Sequence, residues 1–129
     1  MIPRILQIED DAVNLRIAQK TLRSMNYDFL EAANGFTGIT IATKMLPHLI
    51  LLDTKLADML GYQVIEYLRQ QPATARTPMV VLTPDIFDDL YLRCVDAGCD
   101  GYVLTPLNSS SLLRTVHQFL SYTQTAPLV

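Results

Sequence analysis

Oxygen-bearing residues stand where the apolar runs of this sequence stop. Glu9-Asp10-Asp11 follows Ile5-Leu6-Gln7-Ile8, and Asp53 follows Leu49-Ile50-Leu51-Leu52. Thr83 closes Met79-Val80-Val81-Leu82, and Thr105-Pro106 follows Tyr102-Val103-Leu104. Carboxylates brought to one edge repel unless a cation or a proton joins them. A set made only of oxygens, with no His or Cys, points to Mg2+ rather than Zn2+. A carboxylate beside Mg2+ and a hydroxyl can act as a nucleophile toward a phosphoryl group. Helix capping is the plainer explanation of any one acidic residue after a strand, and Asp11 fits it, because a carboxylate there accepts the free N–H groups of a first turn. Glu9-Asp10, Asp53 and Thr83 at three separate run ends are much harder to assign to capping.

Such a site needs a scaffold that brings those ends together. The apolar runs alternate with helical patterns. Leu15, Ala18, Leu22 and Met25 repeat at helical spacing within Ala12 to Met25. Tyr27 to Ala32 reads as a strand, Asn34-Gly35 as a turn, and Phe36 to Met45 as a helix ended by Pro47. Val64, Ile65 and Leu68 form the inward stripe of a third helix after Gly61. Asp85 to Ala97 reads as a fourth helix closed by Gly98, with Pro84 suited to its first turn. Ser109 to Tyr122 reads as a fifth, and residues 123–129 as a loose tail. Strand and helix thus alternate five times. That order predicts an α/β fold: a doubly wound, five-stranded parallel sheet with helices on both faces. Runs apolar on both faces, such as Leu49 to Leu52, suit its central strands. Ligands of such sheets bind beyond the carboxyl ends of the strands.

Composition narrows the class. The chain has 129 residues, half of them hydrophobic and 18% charged, which is enough for one domain with its own core. A net charge of -3 argues against a general nucleic-acid binder. No apolar run approaches a bilayer span, and Met1-Ile2-Pro3-Arg4 does not read as a signal peptide. Cys94 and Cys99 fit a reducing cytoplasm better than a disulfide scaffold.

The ordered set of motifs resembles the receiver domain of response regulators in two-component signalling, which has flavodoxin-like topology. The resemblance runs from about Pro3 to Leu120. It rests on Ile5-Leu6-Gln7-Ile8-Glu9-Asp10-Asp11, on Pro47-His48-Leu49-Ile50-Leu51-Leu52-Asp53 and on Leu56, Met59 and Gly61. It continues in Val80-Val81-Leu82-Thr83 and in Ala97-Gly98-Cys99-Asp100-Gly101-Tyr102-Val103-Leu104-Thr105-Pro106. By that resemblance, Asp53 is the phosphoacceptor for a histidine kinase or phosphotransfer protein. Glu9 and Asp10 are the acid pair for Mg2+, and Asp53 and the Lys55 backbone carbonyl complete the metal ligands. Thr83 bonds the phosphoryl group, Tyr102 is the switch aromatic, and the Thr105–Pro106 bond is cis. The face of helix four, strand five and helix five carries the signal to a downstream protein.

The sequence departs from that pattern at two informative places. Thr105 stands where the family has a lysine, and Pro84 stands where a backbone N–H helps bind the phosphoryl group. Ala57 and Leu60 are smaller departures in the loop after Asp53. Lys55 could reach the acidic pocket as a substitute cation; the plainer reading is a solvated surface lysine. Two functions follow. One is a Mg2+-dependent phosphoacceptor that is no enzyme beyond transferring phosphate onto its own aspartate. The other is a phosphorylation-independent binding module on the same fold. A nucleotide enzyme is disfavoured, because no Gly-rich loop opens a helix. With no second domain after residue 122, action on DNA would pass through another protein or a longer chain.

Overall fold

The computed structural model describes residues 2–124, the side chains of 121–124 excepted. Five strands, β1 (Arg4–Ile8), β2 (Asp28–Ala32), β3 (Leu49–Asp53), β4 (Met79–Thr83) and β5 (Gly101–Leu104), form one sheet. Between and after them run α1 (Ala12–Arg23), α2 (Gly35–Met45), α3 (Gly61–Arg69), α4 (Asp89–Ala97) and α5 (Ser109–Gln124). All strand pairs are parallel, in the order β2-β1-β3-β4-β5. The flavodoxin-like α/β fold expected from the alternation is the fold observed.

Side-chain alternation along the inner strands feeds two cores. Leu6, Ile8, Ile50, Leu52 and Val81 pack with Val64, Ile65 and Leu68 of α3 and Cys94 of α4. Ile5, Leu49, Leu51, Val80 and Leu82 pack on the other face with Ala18 and Leu22 of α1 and Leu112, Val116 and Leu120 of α5. Because β3 and β4 are covered on both faces, their sequences are apolar without alternation. No helix of the described residues is long and apolar enough to cross a membrane.

Local chemistry sets the helix ends. Asp11 Oδ1 accepts from the N–H of Val13 at 2.8 Å and of Asn14 at 3.3 Å, capping α1 as expected. Asn34 caps α2 through the Thr37 N–H. The fourth helix begins at Asp89, four residues later than the periodicity from Asp85 predicts. Asp85 donates its N–H to Thr83 Oγ1 and accepts the Phe87 N–H on its own carboxylate, so local side-chain bonds replace the first helical turn. Asp88 then caps α4 through the Leu90 N–H at 2.7 Å. Pro84 therefore lies in a turn and does not open the helix. The first helix also stops short, at Arg23 rather than Met25, with Asn26 left-handed at φ 59°. The last helix runs to Gln124, two residues past Tyr122. Of the residues read as a tail, 125–129 lie outside the described residues.

Candidate functional site

β1 and β3 are neighbours with Ile8 opposite Leu52, so Glu9 and Asp53 emerge side by side at the carboxyl edge of the sheet. Oxygens of Glu9, Asp10 and Asp53 lie within 4.8 Å of one another. The three sit in different environments: Glu9 is fully buried, Asp53 half-buried and Asp10 exposed. Glu9 Oε2 accepts the Asp11 N–H at 3.3 Å, while Glu9 Oε1 is buried with no hydrogen-bond partner among the described residues. Asp53 Oδ1 accepts the Thr54 N–H at 2.8 Å. Burial, and then the Asp53 carboxyl beside it, push Glu9 up to about 8; the Asp11 N–H and the Asn14 side chain pull the other way. Buried acid, orphaned oxygen and an oxygen-only donor set fit a hard divalent cation such as Mg2+.

The loop after β3 is pinned from several sides. Thr54 O accepts the Gly61 N–H at 2.8 Å, and Met59 O accepts the Leu56 N–H at 3.0 Å. These bonds flank an antiparallel bridge between Lys55 and Leu60, which leaves the N–H and C=O of Lys55 outside the bridge. The Lys55 carbonyl is thus available as a ligand. Its side chain is exposed and makes no ion pair among the described residues. The pairing of the Lys55 ammonium with Glu9 is therefore absent here, and the solvated reading fits. A Cβ on Gly61 would come within 2.3 Å of the Asp53 carbonyl oxygen, so only glycine allows this return of the chain past Asp53.

Thr83 is buried at the end of β4, and its hydroxyl bonds the backbone of Asp85. Thr105 is half-buried and donates its N–H to Thr83 O at 2.9 Å, which sets the ends of β4 and β5 beside each other. The Thr105–Pro106 bond is cis, as the resemblance implied. Tyr102 lies 43% exposed on the other side of β5, its ring edge-to-face with Tyr91 of α4 at 5.8 Å.

Three residues escaped the sequence reading. Asp58 accepts the N–H groups of Gly35 and Phe36 at 2.8 and 2.9 Å, tying the loop after Asp53 to the start of α2. Those bonds hold its carboxyl below the usual range. Arg69 donates to the carbonyls of Gly98, Ala75 and Thr77 and to Asp100, joining the end of α3 to the end of α4. Gln7, inside β1, is fully buried with neither amide atom bonded among the described residues. The signal for Asp58 is a charged residue in a connection, for Arg69 a charged residue at the end of a helix, and for Gln7 a polar residue inside an apolar run. His48 accepts the Arg4 N–H on Nδ1 at 2.9 Å. Both cysteines are free, and burial pushes the Cys94 thiol up to about 12.

Known proteins resemble this chain in sequence and in fold. The family model of the response regulator receiver domain matches residues 5–117. The DNA-binding dual master transcriptional regulator RpaA of Synechocystis is 32% identical over 98% of this chain and 52% of its own length. The nitrate/nitrite response regulator NarL of Escherichia coli is 33% identical over 90% of the chain and 54% of its own. The chain therefore spans about half the length of these two relatives. Among solved structures, chemotaxis response regulator CheY4 of Vibrio cholerae superposes with a TM-score of 0.87 at 23% identity, covering 93% of this chain and all of that one. The receiver domain of sensor histidine kinase PA1611 from Pseudomonas aeruginosa, solved with a magnesium ion coordinated in its active-site cleft, gives 0.86 at 26% identity over 94% and 99% of the two chains. This chain belongs to the response-regulator receiver domain family of two-component signalling.

Proposed function

We propose that the chain accepts a phosphoryl group on Asp53 from a histidine kinase or phosphotransfer protein. The observation that supports this reading is the convergence of Glu9, Asp10 and Asp53 within 4.8 Å at one sheet edge. A carboxylate oxygen of Asp53 attacks the phosphorus, a P–O bond forms, and the P–N bond to the donor imidazole breaks. The imidazole keeps the electron pair and takes up a proton. Asp10, Asp53 and the Lys55 carbonyl would hold Mg2+, with Glu9 beside them; bound there, the ion supplies positive charge to the phosphoryl oxygens. Thr83 is the hydroxyl that turns toward the phosphoryl group, releasing its bond to Asp85. Tyr102 follows on the face formed by α4, β5 and α5. That face carries a groove of about 460 Å³ lined by Tyr102, Leu104, Arg114 and Phe119, which suits a downstream protein. The protein acts on its own aspartate only, in the cytoplasm, without touching nucleic acid or inserting into a membrane.

Thr105 and Pro84 favour a second reading, a docking module that works without phosphate. A lysine ammonium at 105 would add a charge-assisted bond worth about 1.5–3 kcal/mol, and a non-proline residue at 84 would add an N–H. Incubation with Mg2+ and a small-molecule phosphodonor, read by intact mass, separates the two. One phosphoryl adduct on wild type and none on Asp53→Asn is expected. No adduct on wild type would leave the docking module as the better account.

A further inference from the structure

Gln7 is out of place for a central strand. Ile5 and Leu51 on its face are both fully buried, and so is Gln7, yet its amide nitrogen and oxygen have no partner among the described residues. A buried amide without a hydrogen bond costs about 1–3 kcal/mol, so a strand that keeps one has a use for it. The third orphaned buried side-chain atom among the described residues is Glu9 Oε1. Both residues belong to β1 or its continuation, since Glu9 donates its N–H to Ala32 O at 2.9 Å and so extends the ladder with β2. Two residues apart on an extended strand, they project to the same face about 7 Å apart at Cα. Ile5 marks it as the α1 and α5 face, and Leu51 and Asp53 lie on it too, by the same alternation on β3. Three unmet hydrogen-bonding atoms therefore stack along one strand, starting at the acid cluster and leading into the core.

We propose that Gln7 is a positioning residue for the Glu9 carboxyl, acting through one internal water between Gln7 Nε2 and Glu9 Oε1. No direct bond joins the two groups, and one water linking two polar atoms spans up to about 5.5–6 Å. Internal waters settle where buried polar groups converge in this way. Glu9 is then held at both oxygens, by the Asp11 N–H on Oε2 and by the water on Oε1. The carboxyl cannot turn away from Asp10 and Asp53. Groups behind metal ligands commonly set affinity tenfold or more by fixing ligand orientation. That consequence rests on the metal reading of the pocket; the water does not.

The test uses the whole chain as wild type and as Gln7→Met, which keeps the volume and removes both polar atoms. A crystal structure at atomic resolution should show a water within hydrogen-bond distance of Gln7 Nε2 and Glu9 Oε1 in wild type. In Gln7→Met the Glu9 carboxyl should occupy a second orientation. A wild-type map in which the Gln7 amide bonds only other groups, or a Gln7→Met map in which Glu9 is unmoved, overturns the proposal. Calorimetric titration with Mg2+ alone should give affinity roughly tenfold weaker in Gln7→Met. Equal affinity also overturns it. Should wild type bind no Mg2+, the metal reading fails, and the two maps still decide the role of Gln7.

Discussion

Glu9 shows how one residue sets the conditions under which this site works. An ordinary glutamate ionises near 4.5, whereas burial and the neighbouring Asp53 hold Glu9 at about 8. The folded state thus binds a proton between those values that the unfolded chain has already released. Stability from this group is full below about 4.5 and is lost as pH rises to about 8. Its share of the slope cannot exceed about 1.4 kcal/mol per pH unit. Urea unfolding in a chelator should therefore give lower stability at pH 8 than at pH 5.5, and Glu9→Gln should flatten that difference. Added Mg2+ should also reduce it, because a bound cation replaces the proton. A slope in Glu9→Gln as steep as in wild type would remove Glu9 as its source.

At the scale of elements, the loop between β3 and α3 positions Asp53, and its shape depends on Gly61. A methyl at 61 meets backbone, the Asp53 carbonyl at 2.3 Å, which cannot move without moving Asp53. At Gly35 a methyl meets only side chains, Met59 at its Cγ and Sδ and Val64 at 3.2 Å. Gly61→Ala should cost about 1–3 kcal/mol by urea unfolding, and Gly35→Ala distinctly less. Equal losses would mean that the return past Asp53 is not the constraint it looks. The sequence displayed much of this architecture. Five alternations of apolar run and helical stripe define a parallel sheet, and oxygen-bearing residues at run ends mark its carboxyl edge. Other features depend on contacts that no local pattern carries. The helix pattern from Asp85 is real, yet bonds between Thr83, Asp85 and Phe87 take over its first turn. Asp58 looks like loop solvation until it meets α2, which starts 23 residues earlier. Arg69 joins carbonyls up to 29 residues away, a distance over which periodicity says nothing.

Across the whole molecule, the acid edge and the Tyr102 face are joined by the end of β4. The Thr83 hydroxyl is occupied by Asp85, and Tyr102 rests on Tyr91, so both ends of that connection are engaged with neighbours. Under the proposed function, a phosphoryl group on Asp53 would draw the Thr83 hydroxyl away from Asp85 with little help, because Thr105 brings no charge and Pro84 no N–H. Thr105→Lys should raise phosphoryl uptake or lengthen the lifetime of the adduct, since positive charge returns to where negative charge accumulates. The gain should be limited while Pro84 remains. Thr105→Lys combined with Pro84→Ala should exceed either change alone, because both groups address the same phosphoryl oxygens and such neighbours couple. Uptake and decay can be followed by intact mass after a pulse of small-molecule phosphodonor. If wild type already accepts and holds phosphate as well as the double variant, the site is not weakened and another group replaces the lysine. If the double variant gains while wild type stays inert, the fold retains the capacity for phosphotransfer and two residues suffice to withhold it.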